Sequence, residues 1–137
     1  MMHIRHTFRS DIDSFSPHKD DLAEAAAYGH EPVFPEDLTG CVTLSHDGQP
    51  LAIGGNCGDQ VWFVTSRHVE YITREQRLEF RKCIIEYRDK MLGQYPVLWN
   101  FVWIGNKSHI RFLKTIGAVF NNTFTPDGQF QLFTIRR

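Results

Sequence analysis

The stretch Leu98-Trp99-Asn100-Phe101-Val102-Trp103-Ile104 decides the fold. Almost every residue in it is apolar, on whichever alternating face it falls. A half-solvated strand would alternate apolar with polar residues, so this strand is expected inside a sheet with helices over both faces. Tyr95-Pro96 breaks the chain before it and Gly105-Asn106 ends it. Asn106 suits a helix N-cap, and the short helix it opens finishes at Gly117.

Outward from there, Thr73 and Gln76 have the spacing of a capping box and predict a helix over Arg74–Leu92. Phe80, Ile84, Tyr87 and Met91 recur at helical spacing, with Cys83 widening the stripe. Arg74, Arg77, Arg81, Arg88 and Asp89 fill much of the remainder, interleaved with Glu75, Glu79 and Glu86, as on a solvated face. Ahead of this helix, strands Cys41–Ser45 and Leu51–Gly55 flank Asp47-Gly48, a hairpin signal. The turn Asn56-Cys57-Gly58-Asp59 leads into a third strand, Val61–Thr65.

Residues 2–6 read as an opening strand. Ser16 and Pro17 read as the N-cap and first-turn proline of a helix that runs to Tyr28 and stops at Gly29. Asp20 and Asp21 favour its positive end. Glu31–Gly40, with Pro32 and Pro35, is a loop. At the far end Ala118–Phe124 and Gln129–Ile135 form a hairpin around Thr125-Pro126-Asp127-Gly128. The order β-α-βββ-α-β-α-ββ predicts one α/β domain over residues 1–137, a mixed, mostly antiparallel sheet with helices on both faces.

Composition narrows the classes of function. Fifteen Lys and Arg against sixteen Asp and Glu leave a formal charge of −1, without the basic excess of a protein that neutralises many phosphates. The apolar runs are strand-sized, far short of the ~20 residues of a membrane span. Arg5, Arg9, Asp11 and Asp13 argue against a signal peptide. Cys41, Cys57 and Cys83 are odd in number and lack CxxC spacing, as expected of reduced thiols in a cytosol. The histidines (His3, His6, His18, His30, His46, His68 and His109) form no His-x-x-x-His pair, and no metal site is expected. Gly54-Gly55-Asn56-Cys57-Gly58 lacks the Lys-Ser/Thr ending of a phosphate loop and reads as a glycine-rich hairpin with a bulge. Cys57 beside Asp59 reads as an unreactive thiol. Asp11, Asp13, Asp20 and Asp21 read as helix-start chemistry, and Trp62, Trp99 and Trp103 as core.

The element order and two local sequences resemble the GCN5-related N-acetyltransferase (GNAT-like) fold. Ile4-Arg5-His6-Thr7 with Asp11 is similar to that family's opening strand and first helix. Asn106-Lys107-Ser108-His109-Ile110-Arg111-Phe112-Leu113-Lys114-Thr115-Ile116-Gly117 resembles its last helix, opened by an asparagine and closed by a glycine. Longer strings are similar to the gene-thirteen virion-assembly family of T7-type short-tailed phages. These are 51–60 (LAIGGNCGDQ), 86–92 (EYRDKML), 108–120 (SHIRFLKTIGAVF) and 127–135 (DGQFQLFTI). That resemblance implies a late, internal virion protein taking part in particle assembly. Its partners would be other phage structural or assembly proteins, and its place the cytoplasm of the infected bacterium or the particle.

An acetyltransferase of the resembled fold needs backbone N–H groups after the fourth strand to cradle a pyrophosphate at a helix start. The family's loop is glycine-rich; here Thr65-Ser66-Arg67-His68-Val69-Glu70-Tyr71-Ile72-Thr73 has no glycine and carries a repelling Glu70. The family's acid is a tyrosine on the last helix; here that position falls on Leu113, with Phe112 beside it, and neither can give a proton. No base appears in Val61-Trp62-Phe63-Val64. The expectation is a non-catalytic protein with no cofactor, the cleft near Val64 and Val102 filled by side chains. Were it instead an acetyl-CoA-dependent N-acetyltransferase of a viral or host amine, Val64, Thr65 and Asn106 would hold the ligand. Protein partners are expected on the Glu31–Gly40 and Thr65–Thr73 segments, with Val33, Phe34 and Tyr71 as apolar anchors. That all three merely cover the core stands as the open alternative.

Overall fold

A computed structural model describes residues 1–29 and 33–137. His30 and the first two residues of the expected loop, Glu31 and Pro32, lie outside the described residues. The chain runs β1 (Met2–His6), α1 (Arg9–Asp13), α2 (Lys19–Ala27), β2 (Cys41–His46), β3 (Gln49–Cys57) and β4 (Gln60–Thr65). A 3-10 helix (Arg67–Tyr71), α3 (Arg74–Leu92), β5 (Val97–Trp103), α4 (Lys107–Thr115), β6 (Val119–Phe124) and β7 (Phe130–Arg136) follow. The seven strands form one sheet in the order β1-β2-β3-β4-β5-β7-β6, in which only β4 and β5 run parallel. This is the mixed, mostly antiparallel α/β architecture expected.

Local chemistry explains most boundaries. Asp47 and Gly48 both take positive φ, as a two-residue type I′ hairpin requires. Thr73 and Gln76 form the reciprocal capping box of α3, side chain to backbone in both directions. The Gly128 amide donates to the Thr125 carbonyl, closing the turn around Pro126.

Three expectations need correction. Ser16 does not cap α2; His18 does, its Nδ1 accepting from the Asp20 amide at 3.1 Å. Residues 16–18 are instead held extended along the end of β4: the Arg67 amide donates to the Ser16 carbonyl and the His18 amide to the Thr65 carbonyl. Gly54 and Gly55 pair regularly with Phe63 and Trp62 without a bulge. They are glycines because a Cβ would lie 2.7 Å from the Trp62 carbonyl oxygen at one and 2.6 Å from the Gly40 carbonyl oxygen at the other. Helix α1, five residues and less than two turns long, is not expected from the local pattern, which opens its first helix at Ser16.

Strand β5 sits between β4 and β7, inside the sheet. Leu98 and Val102 point to the face under α3 and α4, where they join Met91, Leu92, Leu113, Ile116, Phe133 and Ile135 in the larger core cluster. A second cluster, Met2, Leu44, Leu51, Ala52 and Phe80, lies under the N-terminal half of α3. Helices α1 and α2 serve the other face. There Trp62, Trp99, Phe101 and Trp103 are half-buried on the central strands, so the expectation of tryptophans enclosed in the core is corrected to this extent.

Candidate functional site

Strands β4 and β5 are joined by one residue pair, Gln60 with Trp99, and diverge beyond it. A splayed pair leaves edge amides and carbonyls unmatched, and buried backbone groups must find partners. Here side chains supply them. Asn100 reaches across, its Nδ2 donating to the Val61 carbonyl at 2.8 Å, while Gln60 Nε2 donates to Asn100 Oδ1 at 3.2 Å. Further along, Glu24 Oε1 accepts from the Trp103 amide at 2.9 Å and Asp21 Oδ2 accepts from the Thr65 amide at 2.8 Å. Asp21 and Glu24 stand three apart on α2 and so share a face. One acidic edge of a helix thus replaces the missing ladder at the open end of both strands.

The N-terminus of α4 completes this cluster. Asn106, 0% exposed, caps the helix by accepting from the His109 amide, and its Nδ2 donates to Asp21 at 3.0 Å and Glu24 at 3.4 Å. Ser108 donates to Asp20 at 2.5 Å, and His109 Nδ1 lies 3.6 Å from Asp21. Burial pushes the Asp21 carboxyl up, but His109, the Thr65 amide and Asn106 together hold it below the ordinary range. Burial dominates at Glu24 and raises it despite His109 and the Trp103 amide. Two neighbouring carboxyls are therefore driven apart in acidity. A narrow cavity of about 130 Å³ remains at the splay, touched by Glu24, Phe63, Asn100, Val102 and His109. The expectation of a wholly filled cleft is corrected to this extent.

Of the residues named for a retained ligand, the structure brings Thr65 and Asn106 together through Asp21, which takes the amide and the hydroxyl of the first and the Nδ2 of the second. Val64 pairs with Ile53 and, by alternation, faces the α1/α2 side. The turn after β4 has little to offer an anion. The amides of Arg67, His68 and Val69 donate to Ser16 O, Ser66 Oγ and Ser66 O. Glu70 stands there too, 3.1 Å from His18 Nε2. Leu113 is 2% exposed, inside the core.

The expected partner anchors separate. Val33 (76% exposed) and Tyr71 (79%) stand in solvent, whereas Phe34 is half-buried, edge-on to Phe15 at 5.7 Å and tilted against Trp62 at 6.4 Å. For Phe34 the covering alternative describes the geometry. Beside Tyr71, between α3 and α4, runs a groove of about 330 Å³ floored by Phe63, Ile72, Phe80 and Phe112. Sequence reasoning missed Glu24, His109 and Asn100. Asp21 was read as helix-start chemistry alone, and the i, i+3 pairing of Asp21 with Glu24 was the available signal. Among the described residues no three His, Cys, Asp or Glu side chains are grouped to hold a metal ion, and no helix is long and apolar enough to cross a membrane.

Comparison with known proteins adds family and fold. Residues 40–125 match the family model described as "Bacteriophage T7, probable scaffold protein Gp13". The chain is 61% identical over 137 residues to the probable scaffold protein gp13 of Escherichia phage T7, covering all of this chain and 99% of that one. Among solved structures it is similar to an acetyltransferase from Agrobacterium tumefaciens str. C58, with TM-score 0.70 and 15% identity over 99% of this chain and 91% of that one. It is also similar to the ribosomal-protein-alanine N-acetyltransferase of Brucella melitensis, with TM-score 0.62 and 12% identity over 98% and 99% of the two chains. At such identities the likeness shows an N-acetyltransferase fold and nothing of chemistry.

Proposed function

The chain belongs to the family of the T7 probable scaffold protein Gp13, and from that premise we propose that it is a non-catalytic protein of virion morphogenesis that works through contacts with other phage proteins. It acts in the cytoplasm of the infected bacterium or on the assembling particle, needs no cofactor, and binds neither nucleic acid nor membrane. The observation that carries the non-catalytic part is the occupied β4 turn: the amides of residues 67–69 all donate within the protein. An anion entering there would have to break those bonds beside Glu70. The absence of a proton donor at Leu113 and the bridging of the strand splay by Asn100, Asp21 and Glu24 support the same reading.

The alternative, acetyl transfer to a viral or host amine, is favoured by one observation, the half-buried Glu24 beside His109 at the small cavity. Thermal unfolding with and without acetyl-CoA separates the two. A ligand at a hundred times its Kd would add about 2.7 kcal/mol of stability. No shift at millimolar acetyl-CoA is the expected result; a shift with turnover, lost in Glu24→Gln, would establish the alternative. For the assembly role, phage lacking the gene should yield few infectious particles, and Glu24→Gln protein supplied in trans should restore the yield.

A further inference from the structure

The groove between α3 and α4 carries one kind of charge. Arg74, Arg77 and Arg81 stand along its rim, and no Asp or Glu is among the described residues that line it. This is unexpected in a chain with formal charge −1. Carboxylates close by are engaged, Glu70 with His18, Asp21 with His109 and Asp20 with the groove-lining Ser108. Arg81 donates to the Thr115 carbonyl, while Arg74 and Arg77 have no ion-pair partner among the described residues. Spacings of three and four put all three arginines on one face of α3, in a row about 10 Å long at ~1.5 Å per residue.

Beneath the row the floor is aromatic and aliphatic. Phe112 meets Phe63 and Phe80 edge-on, at 5.9 and 5.5 Å, and Leu78, 60% exposed, stands at the lip. A volume near 330 Å³ is at the small end of ligand pockets, room for one or two large side chains. A row of guanidinium groups some 10 Å long matches carboxylates spread over about three residues of extended chain, at ~3.3 Å each. It matches a compact phosphate group less well, because the backbone amides that would complete a phosphate site are taken.

We propose that this groove docks a short acidic peptide segment of a partner protein, its carboxylates on Arg74 and Arg77 and an apolar side chain seated on Phe63 and Phe112. The assignment rests on the reading that the chain works through protein contacts, and it names the surface. The test uses the full chain and a fluorescein-labelled peptide, Glu-Asp-Phe-Asp-Leu-Glu, followed by polarisation against its Gln/Asn isostere. The acidic peptide should bind at least about tenfold more tightly, and lose about tenfold in Arg74→Glu/Arg77→Glu and at high salt. Glutamates in the first turn of α3 favour the helix, so the variant should fold. Equal binding of the isostere, or binding unchanged in the arginine variant, overturns the proposal. So does displacement of the peptide by a lower concentration of acetyl-CoA or a short oligonucleotide. In infected cells, a photo-crosslinking residue at Leu78 should capture an acidic segment of a phage protein. Crosslinks to a phage protein from exposed Val119 but not from Leu78 would sink the groove and leave the protein-contact reading intact; crosslinks from neither would sink both.

Discussion

Asn106→Ala should be among the most damaging single changes in the molecule. The side chain is fully buried and does two things at once. Its Oδ1 caps α4, and loss of an N-cap costs about 1 kcal/mol. Its Nδ2 donates to Asp21, and a hydrogen bond to a buried charge contributes about 1.5–3 kcal/mol. Together the loss is about 3 kcal/mol. Unfolding entropy of ~2.1 cal/mol/K per residue over 137 residues gives about 0.3 kcal/mol/K, so the melting temperature should fall by about 10 °C. Asn106→Asp sharpens the test. It keeps the capping oxygen but sets a third carboxylate oxygen where Nδ2 stood, 3.0 Å from Asp21 and 3.4 Å from Glu24. At pH 7 it should melt no higher than the alanine variant, and it should recover relative to it as pH falls and carboxyls protonate. Circular dichroism melts of the three proteins at pH 7 and pH 5 measure this. An Asn106→Asp protein as stable as wild type at pH 7 would refute the claim that Nδ2 holds the acidic edge of α2.

Glu24→Gln should raise the melting temperature at pH 7. Burial lifts the folded-state pKa of Glu24, so its contribution is complete below the unfolded value near 4.5 and is lost as pH rises through the folded one; the gain should vanish in acid. Asp11 has the opposite sign: a bidentate bond from Arg5, with the Phe8 amide and Thr43, holds it below 3.8 against burial, so its contribution is present above that value and lost as pH falls through the folded one. Asp11→Asn should therefore cost about 2 kcal/mol in urea unfolding at pH 7, less than a fully buried pair because Arg5 is partly exposed, and little in strong acid. Gly55→Ala drives a methyl against the Gly40 backbone and should cost about 1–3 kcal/mol, measured the same way. Phe34→Ala should cost about 2 kcal/mol through lost contacts with Phe15 and Trp62, while Tyr71→Ala should stay within about 0.5 kcal/mol; equal melts would contradict the separation of these two anchors.

What the sequence determined by itself is whatever depends on near neighbours along the chain. The capping box at Thr73 and Gln76, the Asp47-Gly48 hairpin, the Pro126 turn and the two-faced apolar run of β5 are each written within a few residues, because turn and cap chemistry acts over that range. The long strings shared with its family were legible in the same way. Tertiary structure alone decided how β4 and β5 part and what heals the gap. Asn100 lies 39 positions from the carbonyl it satisfies, and Asn106 lies 85 from Asp21. Nothing local marks an Asp in a first helical turn as the acceptor for a strand amide, since its spacing suits a helix start equally well. The same holds for the α3–α4 groove. Arg74, Arg77 and Arg81 look solvated among their own glutamates. They become a one-signed rim only when α4 packs alongside, because the charges that neutralise them in sequence point to other faces of the helix.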